Sequence, residues 1–142
     1  MKIDRIMFPT DFSKYSSKAR DYVIYLCKTL GSSAYILHAI EPIDYEDYDE
    51  EISRFYEGLE SDIRNKLLEE KKFFEKEKIK VFANIIIGKR WKVINTYARE
   101  KEVDLIVMGT HGFKTSEGDI TIGTTSHKVM FSSPCPLLII RE

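Results

Sequence analysis

The alternation of short apolar runs with longer amphipathic segments is the feature that most constrains this fold. Each run stops at turn-forming residues, as buried strands do, and between the runs apolar residues recur at the three- and four-residue spacing of helices. The runs are residues 3–8, 34–40, 81–87, 105–108 and 135–141. Strands alternating with helices over the whole length predict a parallel sheet with helices on both faces, in one α/β domain spanning residues 1–142.

Four helices are predicted between the runs. Serines near Ser13 offer N-cap oxygens for the first, and Gly31 suits its C-terminal end. Its predicted buried face consists of Ala19, Tyr22, Val23, Leu26, Cys27 and Leu30. A long helix from Ile52 follows the acidic segment 41–51, which we interpret as a solvated loop because its like charges repel one another.

The remaining two helices are shorter. Trp91 opens the apolar face of the third, and residues 126–131 form the fourth. Basic residues surround Trp91, and since aromatic rings can stack on bases, the cluster raises the alternative of nucleic-acid contact. It consists of Lys89, Arg90 and Lys92. Three charges at a helix start are typical of a solvent-exposed surface without a binding role, and we interpret the cluster in this way.

Charge and cysteine content exclude several classes of function. The formal net charge is −1, so no overall positive field attracts nucleic acid or an anionic membrane, and we expect neither as a partner. The two cysteines, Cys27 and Cys135, lie far apart and in no metal-ligand spacing, so neither a disulfide framework nor a zinc site is expected. We therefore expect a reducing compartment. The N-terminus lacks a signal-peptide pattern, and no apolar run has the length of a membrane helix, so a cytoplasmic protein is expected.

A glycine-rich stretch follows the fourth predicted strand. The apolar run stops at Gly109, Gly112 follows in a polar loop, and Gly123 precedes the hydroxyl residues Thr124 and Thr125. Helix N-termini present unpaired backbone N–H groups, and glycines let an anion approach them closely, so this layout is typical of phosphate binding. Each glycine has an ordinary structural explanation as well, as a strand end, a turn or a close contact.

Two common phosphate motifs are excluded by missing residues. The dinucleotide fingerprint G-x-G-x-x-G does not occur in the chain. Residues 118–125, GDITIGTT, nearly fit the P-loop, but Thr124 stands where that motif requires a lysine. The remaining pattern is G-x-x-G at 109–112 followed by Gly123. Pro9, Thr10 and Asp11 directly follow the first strand and should line the same sheet edge.

This pattern resembles the universal stress proteins, whose nucleotide-binding members carry G-x-x-G, nine residues, and then Gly-Ser or Gly-Thr. The resemblance extends from FPTDFS through VDLIVMGTHG to SSPCPLLIIR, essentially the whole chain. It implies a three-layer α/β/α sandwich with five parallel strands, Rossmann-like and similar to adenine nucleotide alpha hydrolases. It further implies a homodimer formed through the last strand, 135–141, an adenine nucleotide such as ATP or AMP as ligand, and unidentified protein partners.

The resemblance also assigns site residues. Asp11 would contact the adenosine part and Ala39 the adenine, while the glycine loop and the hydroxyl residues after it would hold ribose and phosphates. The implied nucleotide-binding residues are Pro9, Thr10, Asp11, Ala39, Met108, Gly109, His111, Gly112, Gly123, Thr124 and Thr125. We predict no catalytic residue and no protein metal ligand.

The chain departs from the family pattern in the loop between Gly112 and Gly123, which has ten residues instead of nine. Its carboxylates Glu117 and Asp119 would repel a polyphosphate unless Mg²⁺ bridged them. Two alternatives therefore stay open beside nucleotide binding. One is a nucleotide-free dimer acting only through protein contacts, and the other is a slow ATP hydrolase, for which His111 is the sole candidate acid or base.

Overall fold

The structure is a computed structural model that describes residues 1–42, 50–110 and 124–141. Five strands and four helices alternate along the described chain. The strands are β1 (Arg5–Pro9), β2 (Ser33–Ile40), β3 (Val81–Ile87), β4 (Leu105–Gly109) and β5 (Leu137–Ile140). The helices are α1 (Lys14–Leu30), α2 (Glu50–Glu75), α3 (Arg90–Glu100) and α4 (Thr124–Ser132).

The strands form one sheet in the order β3-β2-β1-β4-β5, and every pair of neighbours is parallel. Met7 at the centre lies opposite Tyr35 on one side and Ile106 on the other. The predicted five-stranded parallel α/β fold is therefore confirmed. Since the chain first runs outward from β1 to β3 and then returns to the far side of β1, the strand order reverses between β1 and β4, where such sheets bind ligands.

Two apolar layers cover the sheet, because successive strand residues point to opposite faces. Ile6 and Phe8 pack in the layer that contains residues of α1 and α2. Met7 packs in the opposite layer, which contains residues of α3 and α4. Helices α1 and α2 thus lie on one face, and α3 and α4 lie on the other.

Helix α1 has the predicted ends but not the whole predicted face. The Ser13 side chain accepts a hydrogen bond from the backbone N–H of Ser16, and Gly31 ends the helix in the left-handed conformation with φ 70°. The prediction that Tyr22 and Leu30 are buried is wrong, because they are 45% and 47% exposed. The buried stripe follows Ser16, Ala19, Val23 and Cys27, and both residues lie beside it.

Helix α2 begins at Glu50 rather than Ile52, and carboxylates in a first helical turn are favoured by the helix dipole. It is tied to α1 by Arg20, whose guanidinium lies 3.0 Å from the Glu70 carboxylate and 3.8 Å from the centre of the Phe73 ring. Of the predicted loop 41–51, residues 43–49 lie outside the described residues. None of the described helices is long and apolar enough to cross a bilayer.

The last strand is shorter than predicted, covering Leu137–Ile140 instead of 135–141. The Ser133 hydroxyl accepts from the N–H of Cys135 at 3.3 Å and donates to the Cys135 carbonyl oxygen at 2.6 Å, which makes this segment a turn. Pro136 has no N–H to donate to a ladder. Its carbonyl oxygen still accepts from the N–H of Ile106 at 3.0 Å, so the turn leads directly into the strand.

Candidate functional site

A cavity of about 300 Å³ lies at the carboxyl ends of β1, β2 and β4, at the reversal of strand order. Eight of the eleven predicted site residues line it, and they come from four separate segments of the chain. They are Pro9, Thr10, Asp11, Ala39, Met108, Gly109, Thr124 and Thr125. The other three, His111, Gly112 and Gly123, lie outside the described residues.

The cavity wall also includes residues that the sequence did not predict for the site. Two come from the start of α1, two from α3, one from β2 and one from α4. They are Tyr15, Ser16, Leu37, Arg90, Ile94 and Ser126. Leu37 and Ile94 are buried apolar residues, so they make this part of the wall suitable for a flat apolar group.

Asp11 is held in the wall by hydrogen bonds from the start of α1. Its Oδ1 accepts from the Ser16 hydroxyl at 2.7 Å and from the N–H of Ser13 at 3.0 Å. Ser16 is buried, and this arrangement satisfies its hydroxyl. The carboxylate of Asp11 therefore has a fixed orientation beside the N-terminus of α1.

Gly109 and the first turn of α4 form the opposite wall. Thr124, Thr125 and Ser126 occupy the first helical turn, where backbone N–H groups have no partner within the helix. The buried Ser126 hydroxyl donates to the Gly109 carbonyl oxygen at 3.4 Å and connects this turn to the end of β4. A Cβ on Gly109 would lie 3.4 Å from the Tyr15 carbonyl oxygen, so the start of α1 packs closely on the end of β4.

Arg90 reaches the cavity because α3 begins almost immediately after β3. A Cβ on Gly88 would lie 2.7 Å from Cγ2 of Val93, so glycine permits the tight approach of strand and helix. The N–H of Arg90 donates to Oε1 of Glu41 at 3.3 Å, which fixes the helix start above the end of β2. The interpretation of the basic cluster as plain surface agrees with the exposed Lys89 and Lys92 but not with Arg90, which is half-buried and lines the cavity.

Asp11 and Arg90 are the charged side chains in the described part of the cavity wall. Within residues 1–42, 50–110 and 124–141, no cluster of three His, Cys, Asp or Glu residues is arranged to hold a metal ion. Burial raises the pKa of Cys27 to about 12, and burial also raises the pKa of Cys135. Both thiols are free and protonated near neutral pH, so neither provides a thiolate nucleophile.

Comparison with known proteins decides the family. The model of the universal stress protein family matches residues 2–141. The chain belongs to the universal stress protein family. The resemblance in the sequence is thereby confirmed over essentially its full length.

Two relatives of this universal stress protein are similar over nearly their whole length. A universal stress protein of Methanocaldococcus jannaschii is 28% identical over 154 residues, which cover 97% of this chain and 94% of the relative. One from Bacillus subtilis is 31% identical over 150 residues, covering 97% of this chain and 99% of the relative. The solved structure of the M. jannaschii protein superposes with a TM-score of 0.88 at 25% identity, covering 100% of this chain and 98% of the other.

Proposed function

We propose that this universal stress protein is a cytoplasmic stress-response protein that binds an adenine nucleotide, ATP or AMP, in the cavity between β1 and β4. One observation supports this most: buried apolar residues of β2 and α3, Leu37 and Ile94, line the same cavity as the first turn of α4, which is bonded to the end of β4. An apolar wall suits a nucleobase, and a helix N-terminus suits phosphate oxygens.

The width of the cavity agrees with a nucleotide. Ala39 lies near the carboxyl end of β2 on the apolar side, Gly109 ends β4 on the side of the helix N-terminus, and β1 lies between these strands. Neighbouring strands are about 4.8 Å apart, so the two sides of the cavity are separated by roughly 10 Å. That is about the span from a purine ring to the phosphates of the same nucleotide. Asp11 follows the middle strand, where the ribose would lie, and its carboxylate can accept from ribose hydroxyls.

Two further universal stress proteins with this fold were solved with adenine nucleotides. One is a complex with cAMP, with a TM-score of 0.76 and 19% identity. The other, from Archaeoglobus fulgidus, is a complex with dAMP, with a TM-score of 0.70 and 15% identity. These identities show likeness of fold alone, so the proposed ligand rests chiefly on the cavity of this chain.

The described residues suit a nucleotide better than they suit an isolated cation. Asp11 is the one carboxylate among the described wall residues, and its Oδ1 is engaged by Ser13 and Ser16. Any Mg²⁺ would therefore be carried mainly by the phosphate oxygens and water, as Mg²⁺ commonly is. The cavity residues would bind the base, ribose and phosphates, and we propose that the bound nucleotide alters a surface that partner proteins recognise.

The rival proposal is a nucleotide-free member that acts only through protein contacts. It rests on the extra residue between Gly112 and Gly123 and on Glu117 and Asp119, which all lie outside the described residues. Deletion of Gly118 restores the nine-residue spacing of the family pattern. If the nucleotide proposal is correct, the parent already binds ATP and the deletion changes the affinity by less than about 10-fold, or 1.4 kcal/mol. Calorimetry on both proteins measures this, and ATP affinity that exists only after the deletion would favour the rival proposal.

A direct test examines the purified protein for bound nucleotide. Denaturing it and analysing the released small molecules by absorbance and mass spectrometry should detect an adenine nucleotide. An empty supernatant, together with no binding of added ATP and Mg²⁺, would refute the proposed function.

We also propose a homodimer formed through β5. This strand lies at the sheet edge, and a parallel copy or antiparallel copy of an edge strand can cover its unpaired backbone groups. Leu138 on β5 is 37% exposed, and on α4, which covers the opposite face of the sheet, Met130 and Phe131 are 43% and 78% exposed. Light scattering at micromolar concentration should give twice the chain mass of 16.6 kDa. A mass of one chain would contradict the proposed dimer.

A further inference from the structure

His38 contacts the segment that carries Asp11, although it does not line the cavity. It lies on β2 between Leu37 and Ala39, which both face the cavity, so its own side chain points to the opposite face of the sheet. There its Nδ1 lies 2.7 Å from the carbonyl oxygen of Thr10. Since a carbonyl can only accept, Nδ1 carries the proton in this hydrogen bond.

The hydrogen bond completes the attachment of Thr10 to β2. The N–H of Thr10 donates to the Leu37 carbonyl oxygen at 2.9 Å, and His38 then binds the carbonyl of the same residue. Both backbone groups of this buried residue are therefore held by adjacent positions of one strand. Thr10 is the residue directly before Asp11, so its orientation sets the path of the chain into the cavity wall.

His38 also supports the residue after Asp11. Its imidazole stacks on the ring of Phe12, with centroids 4.7 Å apart and planes at 28°. Phe12 has φ 63°, a left-handed conformation that is unfavourable for a bulky residue. The N–H of Phe12 donates to Oγ1 of Thr10 at 3.0 Å, which closes the turn around Asp11. His38 thus contacts the residues on both sides of Asp11.

The environment of His38 favours the uncharged form of its imidazole. Burial lowers the pKa of His38 below 6.5, the Thr10 hydrogen bond opposes that shift, and the charges of Arg90, Asp11 and Lys66 act more weakly. Near neutral pH the ring is therefore uncharged, and it donates from Nδ1 without placing a charge beneath the cavity.

We infer that His38 is a positioning residue for the nucleotide: it orients Asp11 by holding the Thr10 carbonyl and the Phe12 ring from the far side of the sheet. This inference rests on the proposed function for the identity of the ligand. It assigns His38 no contact with the nucleotide. Loss of a merely structural histidine would lower stability alone. Loss of a positioning histidine also lowers nucleotide affinity, because the turn that carries Asp11 becomes less ordered.

The test compares His38→Asn with His38→Leu in the full chain. Asparagine can place its Nδ2 donor near the position of the imidazole Nδ1, whereas leucine fills the space and has no donor. We expect His38→Leu to weaken ATP binding by about 3- to 10-fold, and His38→Asn to stay within about 3-fold of the parent and to bind more tightly than the leucine variant. Cys27→Ala, on the buried face of α1, is the control: it should lower the melting temperature without changing ATP affinity.

Amide hydrogen exchange in the nucleotide-free proteins tests the same inference without a ligand. Exchange at Phe12 and Ser13 should accelerate in His38→Leu and stay close to the parent in His38→Asn. Equal affinities and equal exchange in the leucine variant and the parent would overturn the inference, as would identical losses in both variants. If the parent binds no nucleotide, the proposed function and the ligand role of His38 both fail, and the exchange data still decide whether His38 holds the Asp11 turn.

Discussion

Replacing Asp11 by alanine should weaken ATP binding by about 10- to 100-fold, the range for loss of a hydrogen-bonding charged group. The carboxylate lies in the cavity wall beside the place proposed for the ribose. Its loss removes an acceptor for the ligand and also releases the Ser16 hydroxyl and the Ser13 N–H. Calorimetric titration with ATP measures the change.

Two companion variants separate these causes. Asp11→Asn retains a side-chain oxygen that can accept from Ser13 and Ser16, so it should preserve the turn and lose only the contribution of the charge. Asp21→Ala removes an exposed carboxylate from the outer face of α1 and should leave affinity unchanged. An Asp11→Ala variant that binds ATP as tightly as the parent would show that Asp11 is not part of a nucleotide site.

Replacing Phe8 by alanine should destabilise the protein by about 3–5 kcal/mol. Phe8 is fully buried on the central strand β1, and its ring lies 6.3 Å from that of Phe74 in α2. The substitution leaves a cavity between sheet and helix that the surrounding strands cannot close. A domain has only about 5–15 kcal/mol of stability, so this variant should unfold at a much lower urea concentration than the parent.

Tyr25→Ala is the matched control for Phe8→Ala. Tyr25 is an aromatic residue on α1 that is 66% exposed, so its loss should change stability by less than about 0.5 kcal/mol. Similar urea midpoints for the two variants would contradict the account of the core.

The sequence predicted the bounds of a strand well where an apolar run ends at a turn residue. For β3, the apolar run 81–87 and the strand Val81–Ile87 have the same bounds, although β3 is an edge strand in which only Val81 is buried. The prediction for β5 extended too far, because apolar character alone does not distinguish a strand from the Ser133 turn that precedes it. Tyr22 and Leu30 were assigned to the core because a helical spacing fixes which residues share a stripe, while the width of the buried stripe depends on tertiary packing.

The sequence located part of the cavity because carboxyl ends of parallel strands share one edge. This rule placed Asp11, after β1, and Gly109, at the end of β4, at the same edge, and both line the cavity. The same rule applied to β3 would have indicated Arg90, which follows Gly88 at the end of that strand. Tyr15 and Ile94 had no such signal, since their place in the wall depends on how α1 and α3 pack on the sheet.

Calorimetric titration of Mg²⁺ and ATP into protein from which any co-purified nucleotide has been removed tests nucleotide binding itself. A nucleotide site in the cavity should give a saturable heat with one site per chain, competition by AMP, and strong weakening in Asp11→Ala. A titration that shows no saturable heat up to about 1 mM ATP, the limit that corresponds to about 4 kcal/mol of binding free energy, would contradict nucleotide binding by this protein.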